Sequence, residues 1–268
     1  MRNDLARRQY VGLARPAAPG ALLRLGPEPL SVAWSNPSRA LHVTGVGVAG
    51  EGGGDVTWLS AVPLHAPPGP WFGGWAFDSG RAWAGFDAER WILPEVLAWW
   101  DGARSWLAAF GPAGTSEEAL ERRLDAVTEV EPFTGTLSAH AVPGSQAEWK
   151  ERVDAALQAI AAGTFDKVVL ARVSELESER PMVERAVLKA LEARHPQCWS
   201  FLVRGRDGRA FVGASPETLC ESAGDSFATD ALAGTAAGGQ GGALLTSDKD
   251  LREHRAVVEG IAESLTPF

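Results

Sequence analysis

Between Leu22 and about Pro143, short apolar runs alternate with clusters of turn-forming residues; Ala40 to Val48 and Trp71 to Phe77 are such runs, and Gly50 to Asp55 is such a cluster. That rhythm predicts antiparallel strands joined by hairpins. Beyond residue 143 the period changes. Ser145-Gln-Ala-Glu148 has the form of a capping box, in which the serine accepts from the third backbone N–H and the glutamate reaches back to the cap. Trp149, Val153, Leu157 and Ile160 then fall on one face of a helix, which Gly163 ends. Lys167-Val-Val-Leu-Ala171 is an uninterrupted apolar run, the pattern of a strand buried on both faces. A second helix is predicted over Met182 to Arg194. Two strands, about Trp199 to Arg204 and Arg209 to Gly213, form a hairpin around the turn Gly205 to Gly208. The last segment, Ser247 to Phe268, has a serine at its start and Leu251, Val258, Ile261 and Leu265 at helical spacing.

Composition narrows the classes. At 268 residues and 45% hydrophobic the chain can bury a large core. A formal net charge of −9 repels nucleic-acid phosphates and anionic lipid, so no nucleic-acid or membrane partner is expected. Cys198 and Cys220 have no Cys-x-x-Cys spacing, which supports neither a disulfide framework nor a zinc site and fits a reducing cytoplasm. No apolar stretch near the N-terminus has the length of a signal-peptide core or a membrane span. Of the 11 tryptophans, most precede residue 107: Trp34, Trp58, Trp71, Trp75, Trp83, Trp91, Trp99, Trp100 and Trp106. Large aromatics in that number more often fill a core between layers than form a ligand platform.

Several motifs can carry chemistry, and each has a plainer reading. Lys167 heads the apolar run, where desolvation would favour the neutral amine needed by a general base; a lysine with a buried stem and a solvated ammonium is the plainer alternative. Gly213-Ala-Ser-Pro-Glu217 can hold a glutamate, kept protonated, at the floor of a cleft, or it can start a helix with Ser215 as cap and Pro216 at the first position. Thr229-Asp-Ala-Leu-Ala-Gly234-Thr235 ends in a pair that lets backbone N–H groups and a hydroxyl approach a carboxylate. The glycines at 238, 239, 241 and 242 match no nucleotide-binding pattern. Asp250 and Glu253, three apart on the last helix, project from one side and can offer oxygens to a hard cation such as Mg²⁺, or simply make an acidic first turn that suits the helix dipole.

Taken in order, Lys167-Val-Val-Leu-Ala-Arg172, Gly213-Ala-Ser-Pro-Glu217, Ala231-Leu-Ala-Gly-Thr235 and Lys249-Asp-Leu-Arg-Glu-His254 resemble the chorismate-binding enzymes. Phe72-Gly-Gly-Trp-Ala-Phe-Asp78 and Ile92-Leu-Pro94 resemble the N-terminal half of its isochorismate synthases. The resemblance implies an α/β (α+β) sandwich of two antiparallel sheets between helical layers. It implies one catalytic domain over residues 1–268, with 1–143 as a strand-rich half and 144–268 as the first part of the motif-bearing half. Members that use ammonia carry glutamine where this chain has Lys167, so the lysine points to water as nucleophile and to no glutamine amidotransferase subunit. The implied reaction is addition of water at C2 of chorismate with Lys167 as base, and loss of the C4 hydroxyl with Glu217 as acid. Mg²⁺, held in part by Glu253 and Asp250, would orient the substrate, and Gly234 and Thr235 would line its site. The product would serve menaquinone or siderophore biosynthesis. Family members continue past the last helix with a further metal-binding glutamate, so the resemblance also implies an incomplete domain. Alternatives are a salicylate synthase, an inactive truncated family member, and a tryptophan-rich carbohydrate-binding module with aromatics exposed along one sheet face.

Overall fold

The computed structural model describes residues 10–17, 30–52, 71–78, 80, 85–127, 140–141, 146–223 and 226–266. Trp58, Trp83 and the Ser145 cap lie outside these residues. The strands are β1 (Tyr10–Pro16), β2 (Leu30–Asn36), β3 (Leu41–Val46), β4 (Gly50–Gly52), β5 (Phe72–Trp75), β6 (Glu89–Leu93), β7 (Val96–Trp100), β8 (Ser105–Pro112), β9 (His140–Ala141), β10 (Leu176–Glu177), β11 (Trp199–Arg204), β12 (Ala210–Ser215), β13 (Glu221–Ala223) and β14 (Ser226–Ala228). The chain divides into two units, Met1–Thr136 with Met182–Pro216, and Leu137–Pro181 with Glu217–Phe268.

The first unit is organised by a seven-stranded antiparallel sheet in the order β1-β8-β7-β3-β2-β11-β12, accompanied by the three-stranded sheet β4-β6-β5. Alternation along the strands sorts its side chains. Leu202 opposite Ala33, and Ala98 opposite Leu107, share one face. That face packs on two helices: Leu120 and Leu124 of Glu117–Asp125 join Val96, Ala98, Leu107 and Ala109, and Leu188 of Glu184–Arg194 joins Leu30, Ala33 and Leu202. The opposite face carries Val43, Leu97, Ala108 and Phe110, covered by Trp71 and Leu93. Two antiparallel sheets and few helices is the α+β class read from the sequence. The β11–β12 hairpin and the Glu184–Arg194 helix fall where the periodicity places them.

Three local expectations need correction. Gly50–Gly52, read as part of a turn cluster, pairs with β6 as β4; a glycine there suits close packing, because a Cβ on Gly50 would lie 2.3 Å from the Tyr10 ring. The tryptophans do not share one role: Trp71 is 9% exposed in the core, whereas Trp75 is 56% exposed. Lys167–Ala171 is not a buried strand. It joins no ladder among the described residues, and Val168 and Val169 are 41% and 78% exposed.

The second unit holds the Gln146–Ala161 and Asp248–Leu265 helices, the short Gly241–Leu244 turn of helix, and the two-stranded ladders β9–β10 and β13–β14. The first of these helices ends as expected at Gly163, in the left-handed region at φ 71°, with the Gly163 N–H bonded to Ile160 O at 3.0 Å and the Thr164 N–H to Ala159 O at 3.0 Å. Its apolar face is only half covered: Trp149 and Val153 are intermediate, while Leu157 is 58% exposed. The last helix starts on Ser247, whose hydroxyl accepts from the Asp250 N–H at 3.3 Å. No described helix is long and apolar enough to cross a membrane.

Candidate active site

Every residue singled out from the sequence for chemistry belongs to the second unit. The Gly163 stop releases the chain from its helix four residues before Lys167. From there the Lys167 ammonium reaches the last helix and pairs with Glu253, Nζ to Oε1 at 3.3 Å; the two side chains are 33% and 30% exposed. Asp250 and Glu253 face the same way, as their spacing requires. A single ammonium, that of Lys249, lies 3.9 Å from Asp250 Oδ1 and 4.0 Å from Glu253 Oε2. Gly234 approaches this turn from the other side with φ +86°, and a Cβ built on it would sit 3.7 Å from Asp250 Oδ1 and 3.3 Å from Leu244 Cδ2. The left-handed backbone and the near contact both favour glycine at that position.

The β13–β14 hairpin brings the remaining two motifs side by side. Thr229 Oγ1 donates to Leu219 O at 2.7 Å and the Asp230 N–H reaches Thr218 O at 3.4 Å, so the arms bearing Glu217 and Gly234-Thr235 leave the same pair of strands. No helix starts at Ser215-Pro216; the chain bends out of β12 instead, which decides between the two readings of this segment. Glu217 and Thr235 are both exposed. The burial expected to set a neutral lysine against a neutral glutamic acid is therefore not built by the described residues: Lys167 is ion-paired, and Glu217 faces solvent.

The donor set is consistent with a hard divalent cation. Two carboxylates one helical turn apart, both within reach of one cationic group, suit Mg²⁺, which commonly takes one or two carboxylates and completes its shell with water and substrate oxygens. No three His, Cys, Asp or Glu side chains converge among the described residues.

A model of the chorismate binding enzymes matches residues 65–268, more than half of the chain. The chain belongs to the chorismate-binding enzyme family. Among curated relatives, the isochorismate synthase MenF of Pasteurella multocida is 36% identical over 131 residues, covering 46% of this chain and 30% of its own length. The salicylate biosynthesis isochorismate synthase of Pseudomonas aeruginosa is 38% identical over 132 residues, covering 45% of this chain and 27% of its own length. Each match thus spans less than a third of the relative. The solved structure of MenF, the menaquinone-specific isochorismate synthase from Escherichia coli, superposes with a TM-score of 0.74 over 96% of this chain and 64% of that chain at 21% identity, which shows the shared fold.

One participant was missed in the sequence. Lys249 was visible inside its motif, and its i,i+4 relation to Glu253 was a signal that it would reach that carboxylate. The Lys167–Glu253 pair had no local signal at all, because its members are far apart along the chain.

Proposed function

We propose that this chain carries the motif-bearing part of an isochorismate synthase, which converts chorismate to isochorismate. The observation that carries the reading is the convergence of Lys167, Asp250, Glu253 and Gly234, drawn from three separate motifs, on one turn of the last helix. Its chorismate-binding relatives include several named isochorismate synthases, which supports the choice of substrate.

In this reading Lys167 takes a proton from water as the oxygen attacks C2 of the ring. The double bonds shift, and Glu217 gives a proton to the C4 hydroxyl as it leaves as water. Substrate and product are isomers, and the protons exchange back through solvent. Lys167 must leave its contact with Glu253 and give up the ammonium proton to solvent before it can accept one from the attacking water, so the resting pair is a state that substrate binding has to open. Gly234 and Thr235 line the substrate side, with Gly234 holding the left-handed backbone at φ +86° beside Asp250. Asp250 and Glu253 would hold Mg²⁺, which when bound supplies charge neutralisation for the ring carboxylate and fixes its orientation.

The test is product identity. Chorismate and Mg²⁺ are incubated with the protein, and the mixture is separated and analysed by mass. A product isomeric with chorismate supports the proposal. Salicylate together with pyruvate would mean a salicylate synthase, and unchanged chorismate from a folded protein would remove the enzymatic reading.

A further inference from the structure

The cavity in the first unit is lined by none of the residues assigned above to chorismate chemistry. It encloses about 330 Å³ on the sheet face opposite the two helices. Three of its walls are aromatic and belong to adjacent strands: Trp34 stacks on Phe201 at 5.8 Å and 29° between planes, and Phe201 meets Phe211 at 5.4 Å. Phe86 closes a further side, 6.3 Å from Phe211. β5 supplies a glycine where a side chain would otherwise intrude, for a Cβ on Gly74 would meet nothing within 4 Å. These rings stand at 29°, 46° and 70° to one another, so they offer both faces and edges, the two ways in which an aromatic ring packs on another, and with the open floor they select an aromatic guest.

The polar groups refine the choice. Arg90 is 8% exposed, and its side chain gives one N–H to the Arg204 carbonyl and another to Glu51 at 2.8 Å. Its Nε is buried and has no acceptor. The other charges at this edge are already matched: Arg206 pairs with Glu51 at 2.7 Å and with Asp87 at 3.0 Å. A charged guest would upset that balance, whereas an acceptor oxygen would answer the buried Arg90 Nε–H.

We infer that the first unit carries a binding site for an uncharged planar compound of two fused rings bearing a carbonyl oxygen, seated in the cavity against Trp34, Phe201 and Phe211 and directed toward Arg90. The site is independent of turnover and stands whether or not the isochorismate synthase reading does.

The probe is 6-propionyl-2-dimethylaminonaphthalene, a neutral naphthalene ketone whose emission moves to shorter wavelength in apolar surroundings. Titrated into the full chain, it should show a saturable shift with one site per chain. Gly74→Leu, which fills the open floor, should weaken binding at least about tenfold, and Phe211→Ala, at a position 41% exposed in the fold, should do the same by removing a wall. Far- and near-ultraviolet circular dichroism establish that each variant is folded, and either folded variant suffices. As a competitor, 2-ethylnaphthalene, which lacks the acceptor, should be at least about tenfold less effective than 2-acetylnaphthalene. Absence of saturable binding, or unchanged affinity in a folded Gly74→Leu or Phe211→Ala protein, overturns the site. Equal competition by the two naphthalenes overturns the role given to Arg90.

Discussion

Replacing Lys167 by alanine separates a catalytic lysine from a structural one. At 3.3 Å from Glu253 the bare attraction lies between about 1 kcal/mol at the dielectric of water and about 5 kcal/mol at an effective value near 20. Both side chains are roughly one-third exposed, however, and holding two long side chains in one geometry costs entropy, so the net contribution falls to about 1 kcal/mol or less. No ladder bond is at stake, since the segment around Lys167 joins no ladder among the described residues. Lys167→Ala should therefore shift the thermal midpoint by only about 2–4 °C. If Lys167 is the general base, the same change should lower kcat for isochorismate formation by about 10²–10⁴-fold. The two numbers come from differential scanning fluorimetry and a coupled product assay on one preparation. A variant that keeps its turnover refutes the assignment. A midpoint lowered by more than about 10 °C refutes the energetic argument, since the pair would then be holding the fold.

Glu253→Gln should raise the Mg²⁺ concentration needed for half-maximal turnover by roughly tenfold or more, read from a Mg²⁺ titration after chelation; an unchanged requirement would place the metal elsewhere. Leu202→Ala, at a fully buried position between β2 and the Glu184–Arg194 helix, should cost about 2–5 kcal/mol in urea unfolding followed by tryptophan fluorescence, and a loss below about 1 kcal/mol would contradict the packing. The Asp101 carboxyl titrates below its ordinary value because it accepts from the Arg104 and Ala103 N–H groups. Its stabilising effect is therefore present above the unfolded-state pKa and lost as pH falls through the lower, folded one. Asp101→Ala should remove stability at neutral pH and converge with the parent as the carboxyl becomes protonated in acid, in paired thermal melts; parallel curves would refute it.

How much of this was legible in the sequence follows the range of each signal. Gly163 and Ser247 end and begin helices through contacts with residues three or four away, and both were readable. The β11–β12 hairpin announced itself by a four-residue turn between apolar runs. Lys167–Ala171 was misread because an apolar run reports only that a segment favours burial, whereas a strand also needs neighbours supplied from elsewhere. Gly213-Ala-Ser-Pro-Glu217 was ambiguous for a related reason: its capping residues suit a helix, but the ladder with β11 holds the chain extended through Ser215. The order of the four motifs, more than any one of them, carried the family, whereas the three-residue spacing of Asp250 and Glu253 on a helix put them on one side. Nothing in the pattern disclosed the aromatic cavity, since its walls come from strands whose register is set by long-range pairing.

The unpaired apolar run also governs how the protein behaves in a tube. Val168, Val169, Leu170 and Val173 are all exposed, and a β-branched run that joins no ladder among the described residues is a template on which a second chain can add a strand. Lys167 and Arg172 sit at and near its ends as gatekeepers, whose like charges oppose in-register stacking of identical segments. Salt that screens those charges removes the brake, so solubility should fall with ionic strength even though a net charge of −9 would otherwise keep the molecules apart.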